Sequence, residues 1–155
     1  IGSGREGFMK QAQGTLSIDT PGQGLVKITA EIAQWVLHQG VSTGLLTVYI
    51  RHTSASLVIQ ENADPSVMKD IETFFMKLVP EDPSLYTHTT EGPDDMPAHI
   101  KGALTETSLS IPVTGKRMAL GTWQGIYVFE HRIRPHRREI VLHLTGEAED
   151  SNDGE

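Results

Sequence analysis

Cysteine is absent from the 155 residues, which excludes disulfides, thiolate metal sites and a cysteine nucleophile. Any metal ion must then be held by imidazole and carboxylate. No apolar run approaches the roughly 20 residues that cross a bilayer as a helix, and the opening IGSGREGF has no apolar core of a signal peptide. Positive charge is in short supply: 13 Lys and Arg face 20 Asp and Glu, a formal charge of −7, against the basic footprint of a general nucleic-acid binder. These absences predict a soluble, cytoplasmic protein with neither nucleic acid nor membrane as partner. The length suits one domain that can bury a core without staples.

Turn residues divide the chain into alternating strand and helix patterns. Residues 1–8, rich in Gly and Ser, are expected to be a flexible start or expression remnant, 9–147 a single domain, and the acidic 148–155 a frayed tail. Gln11 to Asp19 alternates weakly as an edge strand before Pro21, Gly22 and Gly24 turn the chain. Thr29 offers an N-cap hydroxyl to a first helix carrying Ile32, Ala33, Val36 and Leu37, which Gly40 ends. Leu45 to Gln60 is β-branched and too long for one average strand, so a break near Thr53 and Ser54 is expected. Asp64-Pro65 opens a second helix with Val67, Ile71, Phe74, Phe75 and Leu78 on one face, and Pro80 closes it. Pro97 suits the first turn of a short third helix running to about Leu104, and three β-like runs after Thr107 are expected to be antiparallel neighbours. The order predicts an α+β fold, a largely antiparallel β-sheet or sandwich with two main helices and one short helix.

Four segments concentrate reactive side chains. YTHTTEGPDDMPAHI places His88 and His99 around Glu91, Asp94 and Asp95, nitrogen and oxygen donors that suit a divalent cation or proton transfer; Asp94 and Asp95 as mere helix caps is the plain alternative. In LGTWQGIYVFEHR, alternation puts Trp123, Tyr127, Phe129 and His131 on one strand face and Gln124, Ile126, Val128 and Glu130 on the other. Glu130 is then either buried with a partner or sits where the strand leaves the core. RHTSAS sets His52 beside three hydroxyls including Ser54, better suited to a polar pocket wall than to a serine nucleophile, since no G-x-S-x-G elbow is present. HRIRPHRRE gathers Arg132, Arg134, Arg137 and Arg138, whose guanidinium forks match phosphate or carboxylate, or simply pair with neighbouring acids across a hairpin turn. His38 and His143 read as structural.

Taken together, HTSASLVIQENADPSV, YTHTTEGPDDMPAHIKGALTETSLSIPV and LGTWQGIYVFEHR resemble the YjbQ-like family, an uncharacterised family sometimes labelled secondary thiamine-phosphate synthase-type; the likeness runs from about Met9 to Gly146. The resemblance implies a compact, largely antiparallel α+β fold, a homotrimer with sites near subunit boundaries, and at most a modest synthase activity joining a pyrimidine diphosphate to a thiazole phosphate. It singles out His52, His88, Glu91, Asp94, Asp95, His99, Glu130, His131 and Arg132. Many relatives carry cysteine where this chain has Phe129, so a mechanism needing that thiol is not open here.

The expected site follows from both readings. His88, His99 and His131, with Glu91 and Asp94, are expected to hold one divalent metal, zinc or magnesium, with no organic cofactor. His52, Glu130 and Asp95 are the catalytic candidates, and Arg132, Arg134, Lys101, Ser54 and Trp123 the groups for a small phosphorylated metabolite. A metal-dependent hydrolase and a non-catalytic trimeric binder of a small molecule or anion are the alternatives.

Overall fold

The computed structural model describes residues 7–148. Strand β1 (Phe8–Thr20) is followed by β2 (Gly24–Lys27), α1 (Thr29–His38), β3 (Val41–Ile50), β4 (Ala55–Glu61) and α2 (Pro65–Leu78). A 3-10 turn (Pro83–Leu85), α3 (Asp95–Leu104), β5 (Ser108–Thr114), β6 (Arg117–Met118), β7 (Gln124–Glu130) and β8 (His136–Ala148) complete it. Two antiparallel sheets result, one ordered β1-β8-β3-β5-β6 and the other β2-β7-β4.

The sheets face each other across one core. Leu46, Val48 and Ile50 of β3, Ile140, Leu142 and Leu144 of β8, Leu57 of β4 and Ile126 and Val128 of β7 meet there, with Ile32 and Val36 of α1 closing one side. Alternation explains the choice, because every second residue of a strand faces the same way. The small sheet is covered on its other face too: Phe129 meets Phe75 of α2 edge-on at 5.3 Å, and α3 packs on β4. That two-sided cover is why β7 is buried from Gly125 to Glu130 rather than alternating with solvent.

Several expectations shift by a residue or a partner. Phe8 belongs to β1, paired with Ala148 of β8, so the fold begins inside the segment expected to lie outside it and extends one residue into the expected tail. Residues 1–6 and 149–155, the rest of both, lie outside the described residues. The Thr29 hydroxyl does not cap α1; it accepts from the Ile126 N–H at 2.8 Å and ties the helix to β7. Asp64 does cap α2, its Oδ1 accepting from the Ser66 N–H at 2.9 Å. Helix α3 starts at Asp95, two residues before Pro97, which places His99 one full turn after Asp95 on the same face. Of the last three β runs only the start of the second, Met118 in β6, is an antiparallel neighbour of the first, on β5; β5 otherwise pairs with β3, β8 sits between β1 and β3, and β7 joins the other sheet.

Candidate functional site

Glycine shapes the loop that enters α3. Gly92 has φ +103, a backbone region that L side chains rarely adopt, and the turn it allows brings the Glu91 carbonyl to 3.0 Å from Arg132 Nη2. Arg132 follows β7 directly and holds the loop with its whole fork: Nε donates to Asp94 Oδ2 at 3.0 Å and Nη1 donates to Asp95 Oδ1. The Ile133 N–H also donates to Asp94 Oδ2 at 3.0 Å. Burial raises both carboxyl pKa values, but the Ile133 and Arg132 hydrogen bonds at Asp94, and at Asp95 the His88 hydrogen bond with the charge of Arg132 behind it, outweigh it and hold both acids below the ordinary range.

Asp95 uses its other oxygen for two rings. His88 Nε2 lies 2.7 Å and His99 Nε2 3.2 Å from Asp95 Oδ2, and Glu91 Oε2 is 3.6 Å from His88 Nε2. Donor atoms of His88, Glu91, Asp95 and His99 all fall within 4.8 Å of one another. Two imidazoles and one or two carboxylates at that spacing match the donor set of a zinc-like divalent ion. Asp95 Oδ1 is already fixed by Arg132, the kind of outer contact that aims a ligand.

His99 also belongs to a second feature. A cleft of about 760 Å³ runs between the β3–β4 connection and α3, lined by Tyr49, Arg51, His52, Thr53, Ser54, His99, Gly102 and Thr107 among others. His52 Nε2 accepts from the Glu139 N–H at 2.9 Å, which leaves its Nδ1 carrying the ring proton. Burial first, and then the nearby Arg138 guanidinium, lower its pKa and favour the neutral ring.

The remaining candidates stand elsewhere. His131 does not join His88 and His99: it is 1 % exposed and its Nε2 lies 2.9 Å from Ser56 Oγ. Asp94 is outside the donor group and holds Arg132 instead. Glu130 is fully buried, taking Arg138 Nε at 2.7 Å and the Thr20 hydroxyl at 2.6 Å on Oε1, and Arg138 Nη2 at 2.5 Å and the His131 and Arg132 N–H groups on Oε2. Burial raises its pKa, yet the hydrogen bonds from Arg138 and Thr20 win and keep it ionised, so it is no acid or base waiting for substrate. Arg132 is engaged by acids and is not a free phosphate clamp. Trp123 and Arg134 are exposed and line neither cleft nor cluster, and Lys101 is buried on the far side of α3 from His99. Ser54 does line the cleft, its Oγ accepting from Arg138 Nη2 at 2.9 Å.

Thr105 was not foreseen in the network; Arg138 was expected as an anion clamp or as an ion pair at a hairpin turn, and Ser56 only as one of three hydroxyls beside His52. For Arg138 a signal existed: in HRREIVLHL it shares strand parity with Ile140, Leu142 and Leu144 and must point into the core with them.

Comparison with known proteins places the chain among similar sequences. A family profile described as UPF0047 protein YjbQ-like matches residues 14–147. A UPF0047 protein of Synechocystis is 56% identical over 138 residues, covering 89% of this chain and 94% of the relative. The UPF0047 protein YjbQ of Escherichia coli O157:H7 is 44% identical over 136 residues, 87% of this chain and 98% of the relative. Among solved structures, a YbjQ-like protein of unknown function from Sulfolobus solfataricus superposes with TM-score 0.83 at 26% identity, covering 90% of this chain and all of that one. A hypothetical protein from Aeropyrum pernix gives TM-score 0.80 at 32% identity, with 88% and 99% covered.

Proposed function

From the premise that the chain belongs to the UPF0047 YjbQ-like family, we propose that it is a divalent-metal-dependent enzyme of the cytoplasm acting on a small phosphorylated metabolite in the cleft between the β3–β4 connection and α3. The observation that carries this reading is the double membership of His99, which stands both in the donor cluster and in the cleft wall. His88, Asp95 and His99, with Glu91 at the rim, would hold the ion. Its chemistry there is Lewis-acid stabilisation of negative charge on phosphate oxygens. Two imidazoles favour zinc over magnesium, which prefers an all-oxygen shell.

The chain's own residues supply binding and proton placement. His52 presents an N–H donor from a ring held by the Glu139 backbone, and Ser54, Thr53 and Thr107 offer hydroxyls along the wall. Arg51, 3.5 Å from Glu139 at the cleft edge, is the cation best placed for a phosphate, in the role first expected of Arg132. The reaction that fits the family's resemblance is a thiamine-phosphate synthase-type condensation, in which the thiazole phosphate's ring nitrogen displaces pyrophosphate from the pyrimidine methylene carbon. A homotrimer with the cleft near a subunit boundary belongs to the same reading, supported by Leu45 and Tyr49 exposed on the large sheet and Phe74 and Leu78 exposed on α2.

Purified protein should form the condensed product from the two phosphates only with a divalent ion present, and His99→Ala should lower the rate at least about 100-fold, the usual scale for a lost transition-state contact. Metal-independent turnover, or an unchanged rate in the variant, defeats the assignment; a stable monomer in sedimentation removes the shared site. The ion pairing of Glu130 and Arg132 favours one second reading, a metal-dependent binder without acid/base catalysis, for which ligand binding without turnover is the signature.

A further inference from the structure

Across α3 from the His99 cluster, a second, small pocket of about 40 Å³ lies beneath α2, lined by Gln23, Glu72, Phe75, Lys101, Phe129 and His131 among others. Two polar residues that the cleft reading leaves unused line it. His131 Nδ1 is a buried side-chain atom with no hydrogen-bond partner among the described residues. Lys101 is 3 % exposed, and among the described residues its Nζ makes neither a hydrogen bond nor an ion pair within reach.

A chain of hydroxyls fixes which ring nitrogen carries the proton. Thr105 Oγ1 is 2.8 Å from the Lys101 carbonyl and 2.5 Å from Ser56 Oγ, and Ser56 Oγ is 2.9 Å from His131 Nε2. Thr105 has a single hydroxyl proton, and a carbonyl can only accept, so that proton goes to the Lys101 carbonyl. The Ser56 proton must then go to Thr105, and Ser56 Oγ accepts from His131 Nε2–H. Burial first, and then the charge of Lys101, lower the His131 pKa to about 3, so the ring is neutral, and Nδ1 is left as a bare lone pair. Leaving such a buried acceptor unmet is destabilising, because its lost hydration is not replaced.

We propose that this pocket is a binding site for one water-sized ligand that accepts a hydrogen bond from Lys101 Nζ and donates one to His131 Nδ1. A halide or other small anion does not fit, because Nδ1 offers a lone pair and not a proton. Water meets both demands, and the pocket has room to admit it. The water extends the hydroxyl chain into a continuous wire from Lys101 through His131 and Ser56 to Thr105 at the end of α3, and makes His131 a positioning residue for that helix.

The test combines histidine ¹⁵N NMR with high-resolution crystallography of the full chain, once as it is and once from bromide. Expected are an unprotonated Nδ1 and a protonated Nε2 at His131, one density peak within hydrogen-bond reach of Nδ1 and Nζ, no bromide signal there, and loss of the peak in Lys101→Met. A protonated Nδ1, a bromide in the pocket, or Nζ bonded directly to Nδ1 with no peak between them would overturn the proposal. The tautomer and the density of the unaltered protein decide it even if Lys101→Met does not fold.

Discussion

Glu130 shows how burial decides a residue's role. Its carboxylate meets five donors in the core, and with every acceptor direction occupied it holds the end of the sandwich together through Arg138. Removing its charge leaves a buried guanidinium unpaired, a loss of about 3–5 kcal/mol for a broken buried pair. Glu130→Gln should therefore lower unfolding stability by that order in denaturant titration while the folded fraction keeps its turnover; full stability with a large rate loss would return Glu130 to the catalytic groups. His131 sets a pH dependence. Its folded pKa of about 3 lies below the ordinary histidine value of 6.5, so below 6.5 the unfolded chain binds a proton that the folded chain refuses. Stability falls as pH drops from 6.5 toward 3, by up to about 1.4 kcal/mol per unit. Glu130, with its depressed pKa, adds to the loss once pH falls through the ordinary carboxylate range. Unfolding midpoints measured across that window should fall less steeply in His131→Gln than in the unaltered protein; parallel curves would mean the ring is not buried neutral. Strand parity made the divergence of Glu130 and His131 legible in the sequence. The identity of their partners was not, because Arg138 and Ser56 arrive from other strands.

At the scale of elements, α3 and its entry loop carry the metal reading. Asp95 and His99 are one turn apart on the helix, His88 comes from the loop, and Arg132 reaches across from the end of β7 to clamp Asp94, Asp95 and the Glu91 carbonyl. Arg132→Ala should leave the donor atoms in place but unaimed, weakening zinc binding about 10–100-fold, the usual effect of losing an outer-shell partner. Calorimetric titration checks it; unchanged affinity would mean that the loop holds Asp95 without help. The histidine and acid spacing was legible because the four donors lie within twelve residues of one another. Pro97 does stand in the first turn of α3, but the partner of Asp94 and Asp95, read as donors or as caps, was not legible, because it is an arginine 38 and 37 residues away. The same limit applied to the strands: β5, β7 and β8 were legible as strands, but which sheet each joins depends on the core they share, and local pattern does not encode it.

The whole molecule is a two-sheet sandwich with helices covering the smaller sheet, and that architecture leaves the cleft and the donor cluster meeting at one residue, His99. The α+β class and the antiparallel pairing followed from the order of turn signals and apolar periods; the division into five and three strands did not. The account's central claim is that the cluster of His88, Asp95 and His99 holds a divalent ion at the cleft. Elemental analysis of protein loaded with zinc and desalted tests it most directly, with His99→Ala and His131→Gln alongside. The prediction is one zinc per chain in the unaltered protein and in His131→Gln, and none in His99→Ala. Zinc retained in His99→Ala and lost in His131→Gln, or absent from all three, would contradict it.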